Sequence, residues 1–170
     1  MVKLVVADDE ERVCRLIVAL GNWEELGIKV VGTAANGIQA LELIRKEKTD
    51  ILITDIRMPE LSGIDLMKKL NENSIFSKMI VVSGYDDFEY ARQAIEVGVD
   101  QYLLKPVTRM KLKNVLLELK DKIEQDQEQE DYRTQFQNEI QEYEQFSRRR
   151  FMEKILEGEL SVKEIYDEAE

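Results

Sequence analysis

The sequence predicts an α/β fold, namely a doubly wound, five-stranded parallel sheet with a C-terminal helical extension. Over residues 1–123, five short apolar runs alternate with five amphipathic patterns. Such alternation is typical of a parallel sheet covered by helices on both faces. Both prolines and seven of the eight glycines lie at or before Pro106. The polar stretch beyond them has few helix breakers, and it predicts the extension.

Each predicted strand is four to seven residues long and apolar at successive positions, as expected of strands buried on both faces. In chain order the strands are Lys3–Ala7, residues 28–34 around Lys29–Gly32, Asp50–Thr54, Met79–Ser83 and Gln101–Leu104. The helical patterns space their apolar residues three and four apart. They cover Glu10–Leu20, Gly37–Lys46, Ser62–Leu70, Asp86–Val97 and Thr108–Ile123.

The charge distribution divides the chain into two segments. The net charge is −11, but residues 1–119 carry 16 basic and 19 acidic side chains, whereas residues 120–170 carry 8 and 16. The second segment also has seven glutamines between Lys120 and Arg150. This shift predicts a domain at 1–119 and an acidic, Gln-rich helical linker or extension at 120–170.

The composition excludes several classes of function. The 170 residues include no His, so this chain cannot build a Ser-His-Asp triad, a His-ligated zinc site or a phospho-histidine relay. The acidic balance argues against a duplex-binding surface. Cys14 is the only cysteine, which rules out an internal disulfide and predicts a reducing, cytoplasmic location. No apolar run reaches the roughly 18 residues that a bilayer span needs, so no membrane segment is expected.

Polar residues with related chemistry follow four of the predicted strands. Because function in doubly wound folds collects at the C-terminal ends of the strands, we expect these residues to meet at one edge of the sheet. Crowded carboxylates repel one another without a cation, and oxygen ligands suit Mg²⁺. A hydroxyl and an amine could contact the remaining oxygens of a phosphoryl group. The residues are Asp8, Asp9 and Glu10 after the first strand, Asp55 after the third, Ser83 at the end of the fourth and Lys105 after the fifth.

Each of these residues also has a simpler interpretation. The three acids after the first strand fit a helix start, where the helix dipole favours negative charge. Asp55 could be an ordinary loop acid, Ser83 a helix N-cap and Lys105 a solvated lysine. Their joint occurrence at four strand ends favours a site. The sequence therefore predicts a carboxylate that accepts a phosphoryl group with the help of a metal ion.

Four stretches of the chain resemble the receiver domain of bacterial two-component response regulators. They are LVVADDE (4–10), DILITDIRMPELSGIDL (50–66), VVSGYDD (81–87) and DQYLLKPV (100–107), in that order. The resemblance covers residues 1–119 and implies the flavodoxin-like receiver fold. SGYDDFEYARQAIEVGVDQYLLKPV (83–107), Asn22-Trp23 and AANGIQALELI (34–44) resemble receivers with an AraC-type helix-turn-helix output domain. No such DNA-reading element is visible in this chain.

The resemblance implies a phospho-acceptor and a magnesium site. Asp55 would accept a phosphoryl group from a phospho-histidine on a sensor histidine kinase. Asp9 would bind Mg²⁺ directly and Asp8 largely through water, together with Asp55 and the backbone carbonyl of Arg57.

The resemblance also implies the residues that bind and sense the phosphoryl group. Ser83 and Lys105 would contact it, and Pro106 would be preceded by a cis peptide. Tyr102 would be the switch aromatic that swings inward when Ser83 is drawn to the phosphoryl group. The surface from Asp86 to Ile123 would be remodelled, which could drive phosphorylation-dependent homodimerisation.

Related phosphoryl chemistries fit the sequence less well. The chain has no G-x-x-x-x-G-K-[ST] P-loop, and Gly32 and Gly37 lack the G-x-G-x-x-G spacing. Aspartyl-phosphate hydrolases of the haloacid dehalogenase type have a second Asp two residues after the nucleophile, where this chain has Arg57. An enzyme acting on external phosphoesters is therefore the weaker alternative, and the expected chemistry is confined to the chain itself. Arg57, Met58 and Tyr85 would line the approach of the hydrolytic water and tune the phosphoryl lifetime.

The extension has an apolar pattern of its own. The helical seam of residues 112, 116, 119 and 123 turns polar at Asp126 and Glu130, and then an apolar stripe follows. The stripe consists of Tyr132, Phe136, Ile140, Tyr143 and Phe146. One interpretation is a solvated linker. The other is a signalling helix that pairs with a second copy as a coiled coil.

Two functions stay open at this point. One is a transcription regulator switched by phosphorylation, in which DNA is bound only through an output domain beyond this chain. In that case the chain is a fragment of a longer regulator. The alternative is a stand-alone receiver or adaptor that acts through protein–protein contacts without binding DNA.

Overall fold

The computed structural model describes residues 1–75, 77–84, 88–158 and 163–164. Its strands are β1 (Val2–Ala7), β2 (Ile28–Ala34), β3 (Ile51–Thr54), β4 (Lys78–Ser83) and β5 (Gln101–Leu104). Its helices are α1 (Glu11–Leu20), α2 (Trp23–Leu26), α3 (Gly37–Glu47), α4 (Gly63–Glu72), α5 (Phe88–Val97) and α6 (Arg109–Leu156). Each predicted strand and helix is present. Asp86 and Asp87, which were predicted to begin α5, lie outside the described residues.

The strands form one parallel sheet in the order β2-β1-β3-β4-β5. The chain goes from β1 to β2 on one side and then crosses to β3 on the other side. This reversal is the switch point of a doubly wound fold, and it places the C-terminal ends of β1 and β3 side by side. The predicted fold class is confirmed.

Helices cover both faces of the sheet because alternate strand residues point to opposite sides. Leu4 and Val6 of β1 belong to a buried cluster that includes residues of α1 and α6. Val5 and Ala7 belong to a second cluster that includes residues of α3, α4 and α5. These two apolar layers explain why the strands read as continuous apolar runs in the sequence.

The short helix α2 was not predicted, because four residues are too few to show a helical period. Its geometry depends on side-chain and turn contacts instead. The indole Nε1 of Trp23 donates a hydrogen bond to the carbonyl of Val18 at 2.7 Å. Gly27 ends the helix with φ of 66°, a left-handed conformation that favours glycine.

Helix α6 is longer than the predicted segment Thr108–Ile123, since it continues to Leu156. No Gly or Pro occurs between Pro106 and Gly158, so nothing in the sequence breaks the helix earlier. The chain divides into two compact units, Met1–Ile123 and Glu124–Glu170. The domain boundary near residue 119 stays a prediction.

The second unit is described from Glu124 to Gly158 and at residues 163–164. Every residue from Glu124 to Arg150 is exposed, including the five apolar residues of the stripe. Among the described residues, no helix combines the length and the apolar character needed to cross a bilayer.

Candidate functional site

Strand register brings Asp8 and Asp55 together. Ala7 of β1 pairs with Thr54 of β3, so the residues that follow these two lie next to each other at the C-terminal edge of the sheet. The amide of Asp55 donates a hydrogen bond to the carbonyl of Ala7 at 2.9 Å. The adjacency of the two carboxylates is therefore a consequence of parallel pairing at the switch point.

Asp8, Asp9 and Asp55 form an acidic cluster. One carboxylate oxygen from each lies within 4.8 Å of the other two. Asp8 and Asp55 are 2% and 6% exposed, whereas Asp9 is exposed. Hard oxygen donors that are partly open to water are the ligand set that Mg²⁺ prefers. The donor set therefore fits a magnesium ion.

Lys105 lies against this cluster from the end of β5. Its Nζ is 2.9 Å from Oδ2 of Asp8 and 3.7 Å from Oδ2 of Asp55. Burial alone would lower the pKa of Lys105, but the hydrogen bond to Asp8 and the attraction of the two carboxylates raise this pKa above its ordinary value. The amine is therefore a fixed positive charge beside Asp55.

Asp55 is held in an environment that disfavours its negative charge. Burial raises the pKa of Asp55. The charge of Lys105 and the hydrogen bond from the Ile56 amide lower this pKa, whereas the charges of Asp8 and Asp9 raise it. The pKa of Asp55 therefore lies above its usual value. The Ile56 amide donates to Oδ1 of Asp55 at 2.8 Å. A cation bound at the cluster would relieve this penalty, which is a second reason why the residues fit a metal ion.

Ser83 and Pro106 also lie at this edge of the sheet. Ser83 is fully buried at the end of β4, and its carbonyl accepts a hydrogen bond from the amide of Lys105 at 2.8 Å. The peptide bond between Lys105 and Pro106 is cis. Tyr102 lies on β5, where it is half-buried against the second core cluster. The inward movement of Tyr102 stays a prediction.

The residues expected to line the water approach have different surroundings. Met58 is buried in the second core cluster, so it supports the loop after β3 from within. Arg57 is exposed, and its Nε donates a hydrogen bond to the hydroxyl of Tyr90 on α5 at 2.8 Å. Tyr85 lies outside the described residues. Tyr90 was not anticipated from the sequence, because no local pattern marks a contact between positions 33 residues apart.

Two further residues that the sequence reasoning missed support the acidic cluster. The thiol of Cys14 on α1 donates a hydrogen bond to the carbonyl of Asp8 at 3.6 Å. Gly63 begins α4, and a Cβ at this position would lie 2.0 Å from the carbonyl oxygen of Asp55. Only glycine permits this close approach of the two backbones. The one sequence signal that could have indicated this close approach is a glycine directly after a serine N-cap.

Comparison with known proteins decides the family. Residues 4–117 match the family model of the response regulator receiver domain. The chain belongs to the response regulator receiver family. The predicted resemblance is thereby confirmed. Receiver domains are signalling proteins rather than classical enzymes, and they work with histidine kinases in two-component systems.

Several relatives and one solved structure illustrate the similarity. The transcriptional regulatory protein YesN of Bacillus subtilis is 32% identical over 158 residues, which is 93% of this chain and 43% of YesN. The transcriptional regulatory protein HptR of Staphylococcus aureus is 36% identical over 116 residues, which is 68% of this chain and 45% of HptR. The receiver domain of AraT, a response regulator from Geobacillus stearothermophilus, is 41% identical with a TM-score of 0.70, and the match covers 75% of this chain and 99% of that domain.

The chain thus spans less than half the length of these two curated relatives. Receiver domains bind Mg²⁺ through an acidic aspartate cluster, and this receiver has such a cluster in Asp8, Asp9 and Asp55. Members of the family often form dimers.

Proposed function

We propose that Asp55 of this receiver accepts a phosphoryl group from a phospho-histidine on a sensor histidine kinase. The observation that carries the proposal is the position of the Lys105 ammonium between the carboxylates of Asp8 and Asp55, at the C-terminal edge of the sheet. A fixed positive charge and a set of metal-binding carboxylates beside one buried carboxylate are what phosphoryl transfer to that carboxylate requires.

In this reaction a carboxylate oxygen of Asp55 forms a bond to phosphorus while the bond between phosphorus and the histidine nitrogen of the kinase breaks. Lys105 and the Ser83 hydroxyl then contact the phosphoryl oxygens. Asp8, Asp9 and Asp55, with the backbone carbonyl of Arg57, would hold Mg²⁺. Bound there, Mg²⁺ would neutralise negative charge on the group being transferred. The acyl phosphate is later lost to water, so the chain acts chemically only on itself.

The phosphoryl group acts as a switch by favouring one of two arrangements of the receiver. Ser83 contacts the phosphoryl group, Tyr102 packs inward, and the surface formed by residues 86–123 changes. Exposed apolar side chains on this surface support its use in binding. They are Phe88, Ile95, Leu104 and Met110, which are 82%, 71%, 46% and 74% exposed.

The output of the switch is regulation of transcription. YesN and HptR are both named as transcriptional regulatory proteins, and this chain matches less than half of each. DNA would be bound by an output domain and not by the acidic residues of this chain. The alternative, an adaptor acting through protein contacts alone, is favoured by no specific observation. A cytoplasmic location follows from the phosphodonor and stays a prediction.

The helix beyond Ile123 would carry the signal as a paired linker between two copies. The apolar stripe is 71%, 55%, 44%, 71% and 57% exposed at Tyr132, Phe136, Ile140, Tyr143 and Phe146. A row of five large apolar side chains on an exposed helix is typical of a surface that a partner covers. The similarity to YesN extends over 158 residues and therefore includes this segment. Residues 120–170 are accordingly proposed as a helical linker or extension, with a coiled coil in the described part.

Phosphodonor labelling tests the site directly. The chain is incubated with acetyl phosphate and Mg²⁺, and its intact mass is measured. We expect the mass of one phosphoryl group to be added to the native chain and none to Asp55→Asn. Asp65→Asn is the matched control, because Asp65 is an exposed carboxylate on α4 and should leave labelling unchanged. Labelling of Asp55→Asn at the native level would overturn the proposal.

A further inference from the structure

The side chain of Arg57 links the loop after β3 to helix α5. Its Nε donates a hydrogen bond to the Tyr90 hydroxyl at 2.8 Å, and its guanidinium carbon lies 5.1 Å from the centroid of the Tyr90 ring. Both distances are within the ranges of a hydrogen bond and a cation–π contact. The contact joins the segment that carries Asp55 to the helix that follows Ser83 along the chain.

The backbone at each end of this contact is held by the core. Ile56 and Met58, on either side of Arg57, are 2% and 9% exposed. Tyr90 is half-buried and packs against the second core cluster. The Arg57 side chain itself is exposed. We therefore expect a change of partner by this guanidinium to come from rotation of its side chain.

Phosphorylation of Asp55 would place a competing partner near Arg57. Arg57 is two residues from Asp55, whereas the nearest other arginine in sequence is Arg45, ten residues from Asp55. A guanidinium matches the oxygens of a phosphoryl group with paired, charge-assisted hydrogen bonds, which are stronger than a bond to a neutral hydroxyl. The Tyr90 hydroxyl is such a neutral acceptor.

We propose that Tyr90 is a positioning residue that holds the Arg57 guanidinium on α5 until a phosphoryl group on Asp55 attracts it. Arg57 then exchanges the Tyr90 hydroxyl for phosphoryl oxygens, and α5 loses this hydrogen bond to the loop after β3. This inference rests on the proposed function. It adds a contact that reports the state of Asp55 to α5 and is separate from Ser83 and Tyr102.

Competition of this kind predicts a direction for binding of a phosphoryl analogue. Because the Tyr90 contact must break before Arg57 can bind the analogue, Tyr90→Phe should tighten binding of beryllofluoride in the presence of Mg²⁺. Loss of one solvent-accessible hydrogen bond should raise the affinity for beryllofluoride by about threefold. Arg57→Ala should weaken binding, and Tyr90→Phe should have no effect in the Arg57→Ala background.

Glu96→Gln is the matched control for the binding experiment. It removes a partner of another exposed arginine, Arg92, on the same helix α5, and it should leave the affinity for beryllofluoride unchanged. A second measurement follows the Arg57 Nε–H resonance by NMR in the metal-free chain. We expect this resonance to shift in Tyr90→Phe, and to shift in the native chain when beryllofluoride and Mg²⁺ are added.

The outcomes separate the inference from the proposed function. If the native chain binds beryllofluoride but Tyr90→Phe binds it with the same affinity, or the Arg57 resonance is unmoved by the analogue, Tyr90 is a surface contact only and the inference is wrong. If the native chain binds no beryllofluoride at all, the role of Asp55 is wrong, and the inference fails with it.

Discussion

Helix α6 contains two apolar segments with opposite surroundings. In the receiver unit, Leu112, Leu116, Leu119 and Ile123 are 1%, 0%, 0% and 8% exposed. In the second unit, the stripe from Tyr132 to Phe146 is at least 44% exposed at every position. The apolar residues of both segments follow helical spacing, so this spacing alone predicts a helix in each. It does not show whether the apolar face is buried in a core or binds a partner.

The difference lies in what is available to cover each segment. The first segment packs against the parallel sheet, whose central strands supply a continuous apolar layer. In the second unit, every described residue from Glu124 to Arg150 is exposed. Helices in proteins gain most of their stability from packing of an apolar face. The receiver half of α6 is therefore stabilised within one chain, whereas the second half has no such cover among the described residues, and we propose that a second copy supplies it.

The largest effect is expected from truncation inside the receiver. Leu116→Ala deletes a fully buried side chain between the sheet and α6, and a cavity of this kind costs about 2–5 kcal/mol of unfolding free energy. Urea denaturation followed by circular dichroism measures the loss.

Phe136→Ala is the matched truncation in the second unit. At a concentration low enough to keep the chain monomeric, it should change the unfolding free energy of the receiver by less than about 0.5 kcal/mol. Equal losses in the two variants would show that the stripe is part of the receiver core, which would remove the contrast.

A smaller effect, confined to association, is expected from the stripe. Truncating Phe136 and Tyr143 to Ala should weaken pairing of two copies by at least about tenfold, since burial of one large apolar side chain is worth about 1.5–3 kcal/mol. Sedimentation equilibrium and the concentration dependence of helicity measure this association.

Gln137→Ala provides the control for association, because residue 137 is an exposed polar position on the same helix. It should leave the dimerisation constant unchanged. A chain that stays monomeric at millimolar concentration, both unmodified and with beryllofluoride, would contradict the proposed pairing.

The sequence was sufficient for the sheet and for the edge where the acidic cluster lies. Continuous apolar runs indicate strands covered on both faces, and parallel pairing then brings Asp8 and Asp55 to the same edge of the sheet. The contact of Lys105 with Asp8 also needs the length of the lysine side chain, because β3 and β4 lie between β1 and β5. The site roles assigned to these residues follow from the family resemblance and stay predictions. Their shared location at the C-terminal edge follows from the parallel strands.

Other features could not be predicted, because they depend on contacts between distant residues. The hydrogen bond from Arg57 to Tyr90 joins an exposed loop to a helix 33 residues later. The hydrogen bond from the Cys14 thiol to the carbonyl of Asp8 depends on how α1 packs against β1, which has no signature in the sequence. Helix α2 is too short for periodicity, and its end is determined by the conformation of Gly27.

A moderate effect with a defined sign is expected from the charge of Asp55. The pKa of Asp55 is higher in the folded chain than in the unfolded chain. The contribution of Asp55 to the unfolding free energy therefore falls as the pH rises from its unfolded-state pKa through its folded-state pKa. Asp55→Asn should therefore raise the unfolding free energy at pH 7 in the absence of Mg²⁺. This gain should disappear in acid, where Asp55 is protonated in both states.

An exposed carboxylate in the second unit provides the control. Glu139→Gln removes an exposed carboxylate in the second unit and should leave the unfolding free energy unchanged at both pH values. Addition of Mg²⁺ should stabilise the native chain more than it stabilises the Asp55→Asn variant, since the variant lacks one carboxylate ligand. If Asp55→Asn is less stable than the native chain at pH 7 without Mg²⁺, the carboxylate is stabilising and the assigned direction is wrong.

The smallest effect is expected from the surface charges of α6 itself. Glu118 and Lys122 form an ion pair of 3.2 Å one turn apart, with side chains 52% and 47% exposed. Such pairs contribute about 0.3–0.5 kcal/mol and are screened by salt. Glu118→Gln should therefore cost no more than this in urea denaturation at low salt, and nothing measurable at high salt. A loss above about 1 kcal/mol would mean that Glu118 stabilises the receiver half of α6 by more than an exposed ion pair does.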